Sequence, residues 1–179
     1  MFITVMLVFY DVVYRRVDIV SAGHNPMLYY HAATGQVDQI NPAGMPLGVP
    51  LLIEGNFGDH LEHVRLTLED DDCFLMYTDG ITEAVNQHGG LFGLDRLSEL
   101  LSDCISANKS INSTLVTERI INQLDDFAGF DKQTDDITFI VARATAIAAT
   151  GMEPHRETVD LISVEDIGKD SDHKWSEGH

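Results

Sequence analysis

With 179 residues, 44% of them hydrophobic, the chain has room for one domain with a real core, so one domain plus a tail is expected. The formal net charge of −18, from 29 acidic against 11 basic residues, leaves no basic stripe for a phosphate backbone, so nucleic-acid binding is excluded. The apolar opening from Phe2 to Tyr10 has no basic lead-in or small-residue cleavage site and is too short for a membrane span, so it reads as a buried strand.

Phe2 to Tyr10 and Val17 to Ala22 are rich in β-branched and aromatic residues, and the polar connection Asp11 to Arg16 makes them a hairpin. Gly23-His24-Asn25-Pro26 turns the chain, Met27 to His31 runs extended, and after the turn Ala33-Thr34-Gly35-Gln36 the stretch Val37 to Ile40 completes a β-meander. The first residues lie within a strand with no cap, polar lead-in or loop before them, so the chain is expected to begin inside a domain. Asn41 to Pro50 holds three prolines and two glycines and is expected to form a rigid loop. His63 to Leu68 alternates as a half-buried strand, and Glu69 to Asp72 reads as a solvated acidic turn before the apolar run Cys73 to Thr78.

Leu94, Leu97, Leu100, Leu101 and Ile105 fall at helical spacing, and Val116, Ile120, Leu124 and Phe127 repeat it, predicting two amphipathic helices on the meander's sheet. Ile137 to Arg143 returns to that sheet as a strand. Cys73 and Cys104 stand in apolar contexts without metal-ligand spacing, as small core residues in a reducing, cytoplasmic setting. Residues 146–179 are acidic, contain Pro154 and lack apolar periodicity, so they read as a flexible tail in which His173 and His179 are surface residues.

Two stretches carry chemistry. In Leu75-Met76-Tyr77-Thr78-Asp79-Gly80-Ile81-Thr82-Glu83-Ala84 an apolar strand stops on a carboxylate followed by glycine, which lets the backbone turn sharply beside it. Gln133-Thr134-Asp135-Asp136-Ile137-Thr138 opens the next apolar run and again holds carboxylates at a strand end. Two such strands side by side would converge on one hard cation, which prefers oxygen ligands.

With these acidic elements in place, the chain resembles the bacterial metal-dependent serine/threonine phosphatases of the stage II sporulation protein E type, relatives of the eukaryotic type 2C phosphatases. The resemblance runs in order through Met1-Phe2-Ile3-Thr4-Val5, Ser21-Ala22-Gly23-His24-Asn25-Pro26, Met45-Pro46-Leu47-Gly48, Tyr77 to Ala84, Phe92-Gly93 and Asp135-Asp136-Ile137-Thr138. It implies an α+β fold, an αββα sandwich that is N-terminally incomplete here, with residues 1–145 as the partial catalytic domain. It also implies two Mn²⁺ or Mg²⁺ ions that activate a water for attack on a phosphoserine or phosphothreonine.

Asp79 and Asp135 match two family metal ligands, and Gly80, Asp136 and Thr138 stand beside them as partners of the turns or further ligands. His24 and Asn25 form a turn at the cleft, where a structural hydrogen-bonding role is the reading preferred over acid catalysis. The implied partner is a phosphorylated regulatory protein of the anti-sigma-factor antagonist kind, with an upstream sensor or receiver domain. The family's earlier strands, with the Asp that bridges the metals, have no counterpart in this sequence. The isolated chain is therefore expected to be inactive or nearly so, to bind metal weakly, and to dimerise or exchange strands through exposed sheet edge.

Two rival readings follow from the same residues. The haloacid dehalogenase class also places Asp-Gly after a strand, but its nucleophile would fall at Tyr77, which cannot form an acyl phosphate. A non-catalytic interaction module, or pseudophosphatase remnant, would keep the fold as a docking surface.

Overall fold

The computed structural model describes residues 1–49, 56–108, 111–128 and 136–145, all within one compact unit, Met1–Ile147. Asp135 and the whole expected tail, residues 146–179, lie outside the described residues.

Among the described residues seven strands form two antiparallel sheets. β1 (Val5–Asp11), β2 (Arg16–Ala22) and β5 (His63–Thr67) make one sheet in the order β1-β2-β5. β3 (Met27–Tyr30), β4 (Val37–Ile40), β6 (Cys73–Tyr77) and β7 (Phe139–Arg143) make the other in the order β4-β3-β6-β7. The expected meander is thus divided: its first hairpin and its second belong to different sheets, and the chain crosses between them at Gly23–Pro26.

The inner faces of the two sheets pack together through Met6, Val8, Val17, Ile19 and Leu66 against Met27, Tyr29, Phe74 and Ala142. On the opposite face of the four-stranded sheet, Leu28, Tyr30, Cys73, Leu75 and Tyr77 meet Leu97, Leu101, Cys104, Ile105, Val116, Ile120 and Leu124. These belong to α2 (Leu94–Ser106) and α3 (Ser113–Ala128), amphipathic helices whose apolar stripes cover that face. The four-stranded sheet is therefore buried on both sides, which is why Met27–Tyr30 and Cys73–Tyr77 are continuous apolar runs rather than alternating ones.

Two fastenings hold the helical layer. Arg143 of β7 reaches the Ile111 carbonyl before α3 and pairs with Asp71 at 2.9 Å. Arg96 of α2 lies over the rings of both Phe92 and Phe127, tying α2 to the end of α3. The three-stranded sheet differs, because Leu7 and Phe9 on its outward face are 50% and 65% exposed and β1 is an edge strand. Among the described residues no helix is long and apolar enough to cross a membrane.

Candidate functional site

β6 lies between β3 and β7, and its apolar run ends where the register Tyr77↔Phe139 brings the end of β6 beside the start of β7. Thr78 continues the ladder by donating its N–H to the Thr138 carbonyl at 2.9 Å. The chain then bends into α1 (Asp79–Thr82), a single turn with Asp79 exposed at its start and Gly80 and Ile81 buried beneath it.

Thr78 occupies the N-cap position of α1, yet its hydroxyl makes no bond to that helix. It reaches across to the neighbouring strand instead, accepting the Thr138 N–H at 3.0 Å and standing 3.1 Å from the Asp136 carbonyl and 3.3 Å from the Thr138 carbonyl. Gly80 completes the contact by lacking a side chain: a Cβ there would lie 2.6 Å from the Asp136 carbonyl oxygen and 3.3 Å from Ile137 Cγ1. Asp79 and Asp136, both exposed, thus sit on adjoining turns at one end of the sheet.

Of the expected site residues, the structure brings together Asp79, Gly80, Asp136 and Thr138. Asp135 lies outside the described residues. His24 and Asn25 belong to a different turn, beyond β2 in the other sheet. His24 Nδ1 stands 3.2 Å from the Thr4 hydroxyl, and the His24 N–H donates to the Ser21 hydroxyl at 3.2 Å. The proline loop presses on this turn, since a Cβ at Gly44 would stand 1.7 Å from the Ser21 carbonyl oxygen. Among the described residues the hydrogen bonds of His24 run to Thr4 and Ser21, and none reaches the Asp79 turn.

The donor chemistry of the Asp79 and Asp136 turns suits a hard dication, with carboxylate oxygens at two strand ends and a glycine that lets the turns close on each other. Among the described residues the donor number falls short of a complete site. Among the described residues no group of three or more His, Cys, Asp or Glu side chains gathers closely enough to hold a metal ion.

In the turn Glu69–Asp72 the first three residues are exposed, as a solvated turn requires, and only Asp72 departs from that reading. Asp72 is 3% exposed, accepts from the Tyr29 hydroxyl, and takes the Ala32 and Glu69 N–H groups at 2.8 Å each. Burial and the Asp72 carboxylate together push the Tyr29 hydroxyl far above its ordinary pKa. Asp70 pairs with Arg15 and Asp71 with Arg143. The one signal in the sequence was position, because Asp72 directly precedes a strand buried on both faces.

Comparison with known proteins gives the family and the fold. Residues 1–145 match the family model described as Stage II sporulation protein E (SpoIIE). The chain is 28% identical over 146 residues to "Phosphoserine phosphatase RsbU" of Bacillus subtilis (strain 168), covering 80% of this chain and 39% of that protein. Among solved structures it is similar to the SiaA-PP2C domain of Pseudomonas aeruginosa, with a TM-score of 0.63 and 21% identity over 78% of this chain and 51% of that one. It is also similar to the Mn-presoaked phosphatase domain of SpoIIE from Bacillus subtilis, with a TM-score of 0.56 and 16% identity over 81% of this chain and 58% of that one. The chain spans about two fifths of the curated relative and between half and three fifths of these solved chains. The two antiparallel sheets and their helices are the fold of the PP2C-type phosphatase domains, and with its matched residues covering most of its length the chain belongs to the SpoIIE family.

Proposed function

We propose that this chain forms part of a metal-dependent protein-serine/threonine phosphatase domain, to which it contributes Asp79 and Asp135 as metal ligands. Gly80, Asp136 and Thr138 shape the turns that carry them. The observation behind this reading is the interlock of the Thr78–Gly80 turn with Asp136–Thr138, which holds two acidic strand ends together at one edge of the fold. Mn²⁺ or Mg²⁺ suits such oxygen donors, and a bound pair supplies an activated water and neutralises phosphate charge. The chain's own part in this reading is to hold Asp79 at the end of β6 beside the turn that carries Asp136.

The substrate class we infer is phosphoserine or phosphothreonine on a regulatory protein of the partner-switching kind, in a reducing, cytoplasmic setting. Support comes from the family match and from the likeness to a phosphoserine phosphatase. A sensor or receiver domain acting on this one belongs to the same reading. Among the described residues two acidic turns leave most of a metal pair's coordination unfilled, so the isolated chain is expected to be inactive.

The test is hydrolysis of a phosphoserine peptide in Mn²⁺ by the chain alone and by the chain fused to the proximal strands of a related SpoIIE-type phosphatase domain. Turnover by the fusion, abolished by Asp79→Asn, is the expected result. Turnover by neither would favour the non-catalytic interaction module, for which the exposed apolar face of β1 is the specific observation.

A further inference from the structure

We propose that the free edge of β1 pairs antiparallel with the same edge of a second copy, about a two-fold axis at Val8, so that two three-stranded sheets become one continuous sheet; this stands apart from the metal-site reading. An edge strand offers unpaired N–H and C=O groups, and sheets ordinarily blunt such edges with charge. Among the described residues the other edges are guarded or less apolar. β5 carries His63 and Arg65, β4 carries Asp38, and β7 exposes Ile140 alone of its large apolar side chains. β1 has no charged side chain before Asp11 and exposes Leu7, Phe9 and Tyr10.

Charge favours a second copy as the occupant. Salt screens charges more than about 8 Å apart, so what opposes two copies of a chain with net charge −18 is the charge at the contact itself. Around β1 that charge is balanced: Asp11 pairs with Arg16 at 3.8 Å, and Asp18 with Arg65 at 2.6 Å and His63 at 2.7 Å. A strongly acidic or basic partner finds no charge along β1 to answer its own, whereas a second β1 is equally neutral.

The symmetry then fixes the register. A two-fold axis normal to the sheet keeps both outer faces on one side, so each residue stands opposite one from the same face. Leu7 and Phe9 face outward, since their partners Val20 and Asp18 alternate with the buried Ile19 and Ser21. With the axis at Val8 all seven residues of Val5–Asp11 are paired, and Leu7 of each copy lies opposite Phe9 of the other. Moving the axis to Leu7 or Phe9 leaves two of the seven without a partner in the strand. An aliphatic–aromatic pair of this kind, made twice, is what stabilises an antiparallel sheet. Seven residues a side, against about 20–30 in a standard interface, makes the dimer a weak one.

The test is oxidative crosslinking of the full chain with a single substitution, Leu7→Cys, Val8→Cys or Phe9→Cys, beside sedimentation of the unmodified chain over a range of concentrations. Cys73 and Cys104 are buried, which leaves the new thiol as the reactive one. Residues directly opposite lie about 4.5–5.5 Å apart at Cα, within disulfide reach, and those displaced by two positions lie about 7–8 Å apart, beyond it. Val8→Cys is therefore expected to form covalent dimer at least about tenfold faster than Leu7→Cys or Phe9→Cys, and the unmodified chain to pass from monomer to dimer as its concentration rises. Equal rates at the three positions, or a preference for Leu7→Cys or Phe9→Cys, overturn the proposal, as does a chain that stays monomeric at every concentration. Should Val8→Cys not fold, hydrogen exchange of the unmodified chain decides: amides within Val5–Asp11 slow as the concentration rises if the proposal holds, and keep their rates if it fails. A monomer whose β1 amides slow only on adding the proximal segment of a related phosphatase domain would give the edge to that segment and equally overturn it.

Discussion

Asp72 supports the turn before β6 as a buried acceptor for three donors. Truncation by Asp72→Ala leaves those donors unpaired in a dry site, so a loss of about 3 kcal/mol is expected in urea denaturation. Asp70→Ala, whose ion pair with Arg15 is more exposed, should cost less than about 1 kcal/mol. The sequence shows four acidic residues in a row but not which of them turns inward. That depends on partners such as Tyr29 and Ala32, some forty positions away.

Cys73 shows burial of another kind. Desolvation pushes its thiol from the ordinary 9.0 to about 12, and burial moves the Tyr77 hydroxyl from 10.0 to about 12. Both groups hold their protons more tightly folded than unfolded, so their contribution is fully present below the unfolded pKa values. It is lost as pH rises from about 9 toward 12. A stability profile by urea denaturation should fall over that range, and Cys73→Ser should not restore it fully because Tyr77 titrates there too.

At the scale of elements, the helices were legible because their apolar spacing reports burial directly. Leu97, Leu101, Val116, Ile120 and Leu124 all face the core at the expected period. Leu101→Ala should cost about 2–5 kcal/mol, read from the denaturation midpoint. The division of the meander was not legible, since Gly23 to Pro26 announces a turn but not the sheet into which it leads.

The meaning of Gly80 was legible only in part. The sequence places a glycine beside Asp79, while the structure shows that it makes room for the Asp136 carbonyl on another strand. Gly80→Ala sets a Cβ against backbone that cannot swing aside, so a loss of about 1–3 kcal/mol is expected in urea, with faster hydrogen exchange over residues 136–138. An unchanged exchange pattern would show that the two turns are not interlocked.

At the scale of the whole molecule, exposed apolar side chains concentrate at the beginning of the chain: Phe2, Ile3, Leu7, Phe9, Tyr10, Val12, Val13 and Tyr14 are all exposed. β1 lies at a sheet edge, and from Met1 to Tyr10 no charged side chain or proline guards it. We therefore expect two copies to associate through this strand despite the net charge of −18, giving a concentration-dependent mass by light scattering. Leu7→Lys with Phe9→Lys should shift that equilibrium to the monomer without changing the core. Association unaltered by this pair would place the contact elsewhere.

The central claim is that the Asp79 turn is part of a metal site, and Mn²⁺ titration of the isolated chain against its Asp79→Asn variant tests it most directly. The expected result is weak binding by the parent, in the millimolar range or somewhat tighter, and its loss in Asp79→Asn with the melting temperature of the metal-free protein nearly unchanged. Binding of equal strength in both proteins would contradict the assignment of Asp79.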